Sequence, residues 1–245
     1  MLAKKPLRIL ASYRKPRLVT EQYIKSSSKK SRKAIGEIKH GSIQIIIKDH
    51  FTTDIDVDAV MEEVSEKVPH NFLKLIDYII VGQFEELRKR SVNAAFLDGA
   101  IYVTNQQNDE DDMIDDLVHE IAHAVEEESF LHIYSDGRLE SEFLSKRERL
   151  FHLLDGEEEL DLNYQDFKEP EYSQDFDEAL FYQVGYPLLS VISVNLFYSP
   201  YAITSLREYF ATGFEVYFNK RDMNRLASVS PILFDKLEKL DYNKE

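Results

Sequence analysis

Cysteine is absent from the 245 residues. That excludes disulfides, thiolate metal sites and cysteine nucleophiles together, and it fits a reducing compartment. The N-terminus, Met1-Leu-Ala-Lys-Lys-Pro-Leu-Arg-Ile-Leu-Ala-Ser12, lacks the apolar run of a signal peptide, so a cytoplasmic location is expected. Charge is missing from residues 180 to 206, a stretch long enough for a membrane helix. Gln183, Gly185, Pro187, Asn195, Pro200 and several serines argue against spanning. They predict a buried core segment and no membrane partner.

Charge is plentiful elsewhere and unevenly placed. The chain has a net charge of −15 and is 43% hydrophobic, enough to build a real core. Residues 1–40 hold twelve Lys/Arg against two Glu, a net of +10, so the remaining 205 residues carry −25. Such asymmetry marks a tail with its own partner. The tail, with Lys25-Ser-Ser-Ser-Lys-Lys-Ser-Arg-Lys33, reads as a solvated, partly disordered leader. Two sharper readings stay open: contact with nucleic acid or another acidic partner, or docking onto the chain's own acidic body to restrain it. Residues 155–179 contain eleven acidic residues and only Lys168. They are expected to form a solvated loop or an active-site rim that attracts basic substrates.

From residue 41 the pattern is globular. Ser42–Lys48, Asp77–Val81 and Ala100–Thr104 read as strands. Asp56–Leu73, residues 84–92, 109–127 and 139–154 read as helices, and Asp98-Gly99 is a turn signal. The acidic run Asp109-Glu-Asp-Asp112 suits a first helical turn, where it complements the helix dipole; the calcium-loop spacing with its glycine is absent. The fold class expected is α+β, a small mixed sheet with a mostly helical C-terminal part.

The helix at 109–127 contains His119-Glu120-x-x-His123. Residues four apart share a helical face, so His119 and His123 can offer imidazole nitrogens to one Zn2+ ion. Glu120, one residue round, is placed to take a proton from an attacking water. A catalytic zinc needs a third protein ligand. His40, His50, His70, His132 and His152 show no pattern that brings them there. The extended HExxHxxGxxH signature fails because Glu126 and Ser129 occupy its Gly and His positions. A glutamate on a second helix is the remaining common solution, and Ser205–Phe218 supplies Glu208 and Glu215. Ser205-x-x-Glu208 is also a capping box, in which Glu208 has only a structural task.

Tyr201-x6-Glu208-Tyr-Phe-Ala-x-x-Phe214 resembles the C-terminal motif of the anthrax lethal factor-like metallopeptidases, a family that includes the Pro-Pro endopeptidases. Gly99-Ala-Ile-Tyr-Val-Thr104 is similar to its substrate-side strand, and Ser230-Pro-Ile-Leu-Phe-Asp-Lys-Leu237 to its closing segment. The resemblance covers roughly 93–130 and 198–240. It implies a zincin-like catalytic domain over 41–245 with a helical, acidic insertion around 130–197. It implies Glu208 as the third zinc ligand and Tyr201 as a hydroxyl donor in the site. Strand 100–104 would pair with an extended peptide, with Ile101, Tyr102, Val103 and Asn105 against the substrate. Where the family commonly has a carboxylate one turn after the ligand, this chain has Thr212; Glu215 would take over that supporting task.

The activity expected is zinc-dependent endoproteolysis of a protein or peptide substrate, one ion per chain. Two other classes compete: an inactive zincin-scaffold binding protein, motivated by Thr212 and the long insertion, and a nucleic-acid or assembly-binding protein, phage-related, acting through residues 1–40.

Overall fold

The computed structural model describes residues 35–90, 92–155, 160 and 162–242. The tail readings for residues 1–34 lie outside the described residues. The chain divides into two compact units, 1–125 and 126–245.

The first unit is built on a five-stranded sheet. Its strands are β1 (Gly36–His40), β2 (Ile43–Ile47), β3 (Tyr78–Gly82), β4 (Ala94–Leu97) and β5 (Ala100–Thr104), in the order β1-β2-β3-β5-β4. β2, β3 and β5 run parallel, while the outer strands β1 and β4 are antiparallel to their neighbours. The alternation in Ile43-Gln-Ile-Ile-Ile puts Ile43 and Ile45 on the buried face. β1 occupies residues assigned to the tail from their charge; Glu37 and Lys39 hid its alternation. The turn between β4 and β5 uses Asp98 at φ 45° and Gly99 at φ 77°, the left-handed pair a two-residue hairpin requires.

Helix α1 (Val57–Lys67) starts where Asp56 accepts from the N–H groups of Asp58 and Ala59, each at 3.1 Å. It buries Val57, Val60, Met61 and Val64, one stripe at helical spacing. The single helix expected over 56–73 is broken at Val68-Pro69, and α2 (His70–Leu73) follows. Proline disfavours the helical conformation of the residue before it, and Val68 is extended at ψ 131°. After α3 (Glu85–Arg90) comes the long α4 (Glu110–Glu128). Asp109 accepts from Asp112 N–H at 2.9 Å at its start. Met113, Ile114, Leu117, Val118, Ile121, Ala122 and Val125 are buried along it.

The second unit is helical: α5 (Phe130–Tyr134), α6 (Arg138–Leu154), α7 (Gln174–Ala179), α8 (Tyr186–Ile192), α9 (Leu206–Glu215), α10 (Met223–Val229) and α11 (Pro231–Tyr242). Residues 130–197 do not stand apart from 198–242. Glu142 on α6 accepts from the Tyr209 hydroxyl at 2.8 Å and from Ile232 N–H at 2.8 Å, so α6 holds α9 and caps α11. The charge-free stretch is buried in part only. Leu189, Leu196, Phe197, Ala202 and Ile203 are core, whereas Phe181, Tyr182, Leu188, Val191 and Val194 are exposed. Among the described residues no helix is long and apolar enough to cross a membrane.

α9 meets α11 at Gly213, where an added Cβ would overlap Leu233 Cδ2 and lie 2.8 Å from its Cγ. Gly213→Ala should therefore destabilise the second unit by about 1–3 kcal/mol through overpacking, despite alanine's better helix propensity. Urea unfolding checks this; a variant as stable as the parent would mean that Leu233 yields freely.

Candidate metal centre

α4 brings the motif together as the spacing requires. The potential ligand atoms of His119, Glu120 and His123 lie within 4.8 Å of one another. The two imidazoles are 5.1 Å apart between centroids and tilted by 79°. Glu120 and His123 are each 8% exposed, and His119 is half-buried. Such a group of two imidazoles and a carboxylate is a donor set that zinc accepts.

Glu120 is held from the sheet. Its Oε2 accepts the backbone N–H of Phe96, on β4, at 2.6 Å. Sequence reading missed this contact, because a backbone N–H leaves no mark in a residue pattern and Ala-Ala-Phe-Leu shows no alternation.

One turn before His119, Asp116 accepts from Gln107 Nε2 at 3.0 Å. Burial pushes its carboxyl up to about 7, Gln107 opposes, and the Glu120 charge adds to the rise. The proton is thus held more tightly in the folded chain than at the ordinary value of 3.8. The stability it contributes is fully present below about pH 4 and lost as pH rises through 7. Asp116→Asn has no such proton. In metal-free protein, the unfolding free energy of the parent minus that of this variant should fall across that window; a flat difference would contradict the assignment.

Strand β5 cannot pair with a peptide as the sequence suggests. It lies between β3 and β4 and is paired on both sides, so it has no open edge for a peptide strand. Ile101, Tyr102 and Val103 are buried at 0%, 4% and 0% exposure. Tyr102 stacks edge-on against Phe84, and burial raises its pKa. Asn105 is also buried, its amide donating to the His50 carbonyl at 2.6 Å. β4 is the strand at that end of the sheet.

The remaining residues of interest belong to the second unit. Glu208 is in the first turn of α9, and its N–H is taken by the Ser205 hydroxyl at 3.2 Å. The capping contact therefore uses the Glu208 backbone. Tyr201 opens a short 3-10 turn, Tyr201–Ile203, just before α9. Thr212 is buried, and Glu215 is ion-paired with Lys220.

Glu126 is an unexpected member of this unit. It is fully buried and accepts from the Tyr134 hydroxyl at 2.6 Å and Arg207 Nε at 3.0 Å. In the sequence it registered only as the residue spoiling the extended zinc motif. Its partner Arg207 is the neighbour of Glu208.

No protein-family model, curated protein or solved structure matches the chain.

Proposed function

We propose that the chain is a zinc-dependent metalloendopeptidase with a zincin-like fold. The observation that carries this reading is the convergence of His119, Glu120 and His123 on α4, their potential ligand atoms within 4.8 Å of one another and buried or half-buried. His119 and His123 would hold the ion. Glu208 is assigned as the third ligand on its match to the lethal factor-like motif. When bound, zinc supplies Lewis acidity, which lowers the pKa of water toward neutrality and polarises a carbonyl.

The chain's own residues do the rest. Glu120 takes the proton of the attacking water as general base and passes it to the leaving amine. Tyr201 donates its hydroxyl to the oxyanion of the tetrahedral intermediate, the role of an oxyanion-hole donor. An extended peptide adds to the sheet at β4, in place of the β5 pairing excluded above. Two imidazoles and a glutamate leave a coordination position open for chemistry.

Zinc titration of the full chain tests the ligand set. One zinc per chain is expected. Glu208→Gln should weaken its affinity by roughly tenfold or more, since loss even of an outer-shell partner costs 10–100-fold. Unchanged affinity would remove Glu208 from the set, and absence of binding would overturn the reading.

A further inference from the structure

β4 has two kinds of backbone group. Its register with β5 pairs Ala94 with Val103, Ala95 with Tyr102, Phe96 with Ile101 and Leu97 with Ala100. Just before β4, the Asn93 carbonyl accepts from Thr104 N–H at 2.8 Å, so Asn93 and Thr104 form a hydrogen-bonded pair. Bonded and non-bonded pairs alternate along an antiparallel ladder. Ala95 and Leu97 therefore turn their N–H and C=O groups toward β5, and Ala94 and Phe96 turn theirs away. The Phe96 N–H confirms that direction, because it meets Glu120 Oε2 at 2.6 Å.

The same N–H thus has two claimants. An extended peptide that adds a strand to β4 must bond the outward groups of Ala94 and Phe96, since those are the ones the ladder leaves over. One N–H makes one strong, in-line hydrogen bond. A peptide carbonyl at Phe96 must displace the Glu120 carboxylate, whose charge-assisted bond is the stronger kind.

We propose that the Phe96 N–H is a latch on Glu120: it holds the carboxylate against the sheet edge until a peptide strand pairs with β4 and takes its place. This rests on the reading of Glu120 as the general base. The latch makes backbone pairing a condition of proton transfer and not of binding alone. A short substrate that does not reach Phe96 leaves Glu120 held, so it loses turnover as well as affinity; remote binding energy spent on the reacting groups shows in kcat. The latch would also slow attack by water on small amides and esters that reach the site without forming a strand.

Proline removes the N–H and is tolerated on an edge strand where that N–H faces outward. Ala95, the residue before it, already sits in a strand, which proline's neighbour prefers. Phe96→Pro should therefore keep the β4–β5 ladder, raise kcat on a capped dipeptide substrate, and lower kcat/KM on a ten-residue peptide. The preference for the long substrate should shrink at least tenfold. An unchanged preference, or an equal loss on both substrates, would overturn the latch and leave Phe96 a fixed support.

A second measurement does not depend on activity or on the proline variant folding. In protein labelled with 15N at phenylalanine, Glu120→Ala should move the Phe96 amide resonance and speed its hydrogen exchange at least tenfold. Adding the ten-residue peptide to Glu120→Ala protein, which lacks the base and leaves the peptide whole, should restore the protection. If the Phe96 amide is indifferent to Glu120, the latch is absent whatever the fate of the peptidase reading. If the amide behaves as expected and no peptide is cleaved, the peptidase reading fails and the contact stands.

Discussion

Glu120→Gln will reduce peptide turnover by about 10²–10⁴-fold while the protein retains one zinc per chain. General acid–base catalysis contributes on that scale, and glutamine keeps the shape of glutamate without a proton-accepting carboxylate. The substitution also preserves an oxygen for the Phe96 N–H, which Glu120 accepts at 2.6 Å, so local structure should survive. Metal content is the informative half of the measurement. Glu120 sits within 4.8 Å of both histidine donors, close enough to be a ligand in place of Glu208. Were it a ligand, zinc would be lost together with turnover. Retained zinc with lost turnover assigns Glu120 as base, and retained turnover removes it from the chemistry.

Arg147→Ala will destabilise the second unit by about 3–5 kcal/mol. Arg147 is fully buried in α6. Its guanidinium donates to the carbonyls of Glu169 at 2.6 Å and Asp166 at 2.5 Å. It also packs over Phe176 at 4.2 Å, with Phe143 and Phe167 within 6 Å. Burial presses its pKa down to about 9, against the pull of Asp166 and Glu169. Truncation leaves a cavity among three rings, removes the side-chain donor to the Glu169 carbonyl and leaves the Asp166 carbonyl only the long bond from Glu169 N–H, costs of the size seen for large-to-small core changes. Arg147→Met fills most of the space and loses only the donors, so it should cost about 1–3 kcal/mol. Urea unfolding of both variants gives the comparison. If alanine costs less than about 1 kcal/mol, Arg147 does not clamp the 163–176 segment to α6.

These residues show where sequence patterns carry information and where they fail. The zinc-motif helix was readable because 3.6-residue periodicity converts sequence spacing into geometry without help from the rest of the fold. His119, Glu120 and His123 depend on nothing beyond one helix. The strands at 43–47, 78–82 and 100–104 were readable from β-branched runs. Edge and interior strands look alike in such runs: β5, where the sequence suggests peptide pairing, is interior, and β4 lies at the edge. Strand order is a long-range property, and Ala94-Ala-Phe-Leu97 is too short and too small to announce itself.

Charge is a poor guide to burial in both directions. Arg147 stands in the charged run Ser145-Lys-Arg-Glu-Arg149, yet both Lys146 and Arg147 are buried. Lys146 donates to the Ser230 hydroxyl at 2.7 Å and to Tyr209, and its burial lowers its pKa to about 8. A buried cation is recognised by its partners, and those lie 63 and 84 residues away along the chain. Conversely, the absence of charge over 180–206 suggested burial throughout, while Tyr182 is 78% and Val191 70% exposed. The Ser205 half of the capping box, its hydroxyl accepting the Glu208 N–H, was legible because it needs only local backbone.

Cleavage of an unbiased peptide library by the zinc-loaded full chain, read by mass spectrometry, tests the central claim most directly. Zinc-dependent endoproteolysis requires new termini within the peptides, their loss on chelation and their return with added zinc. A library that the zinc-loaded chain leaves intact would contradict it, as would cleavage that persists after the metal has been removed.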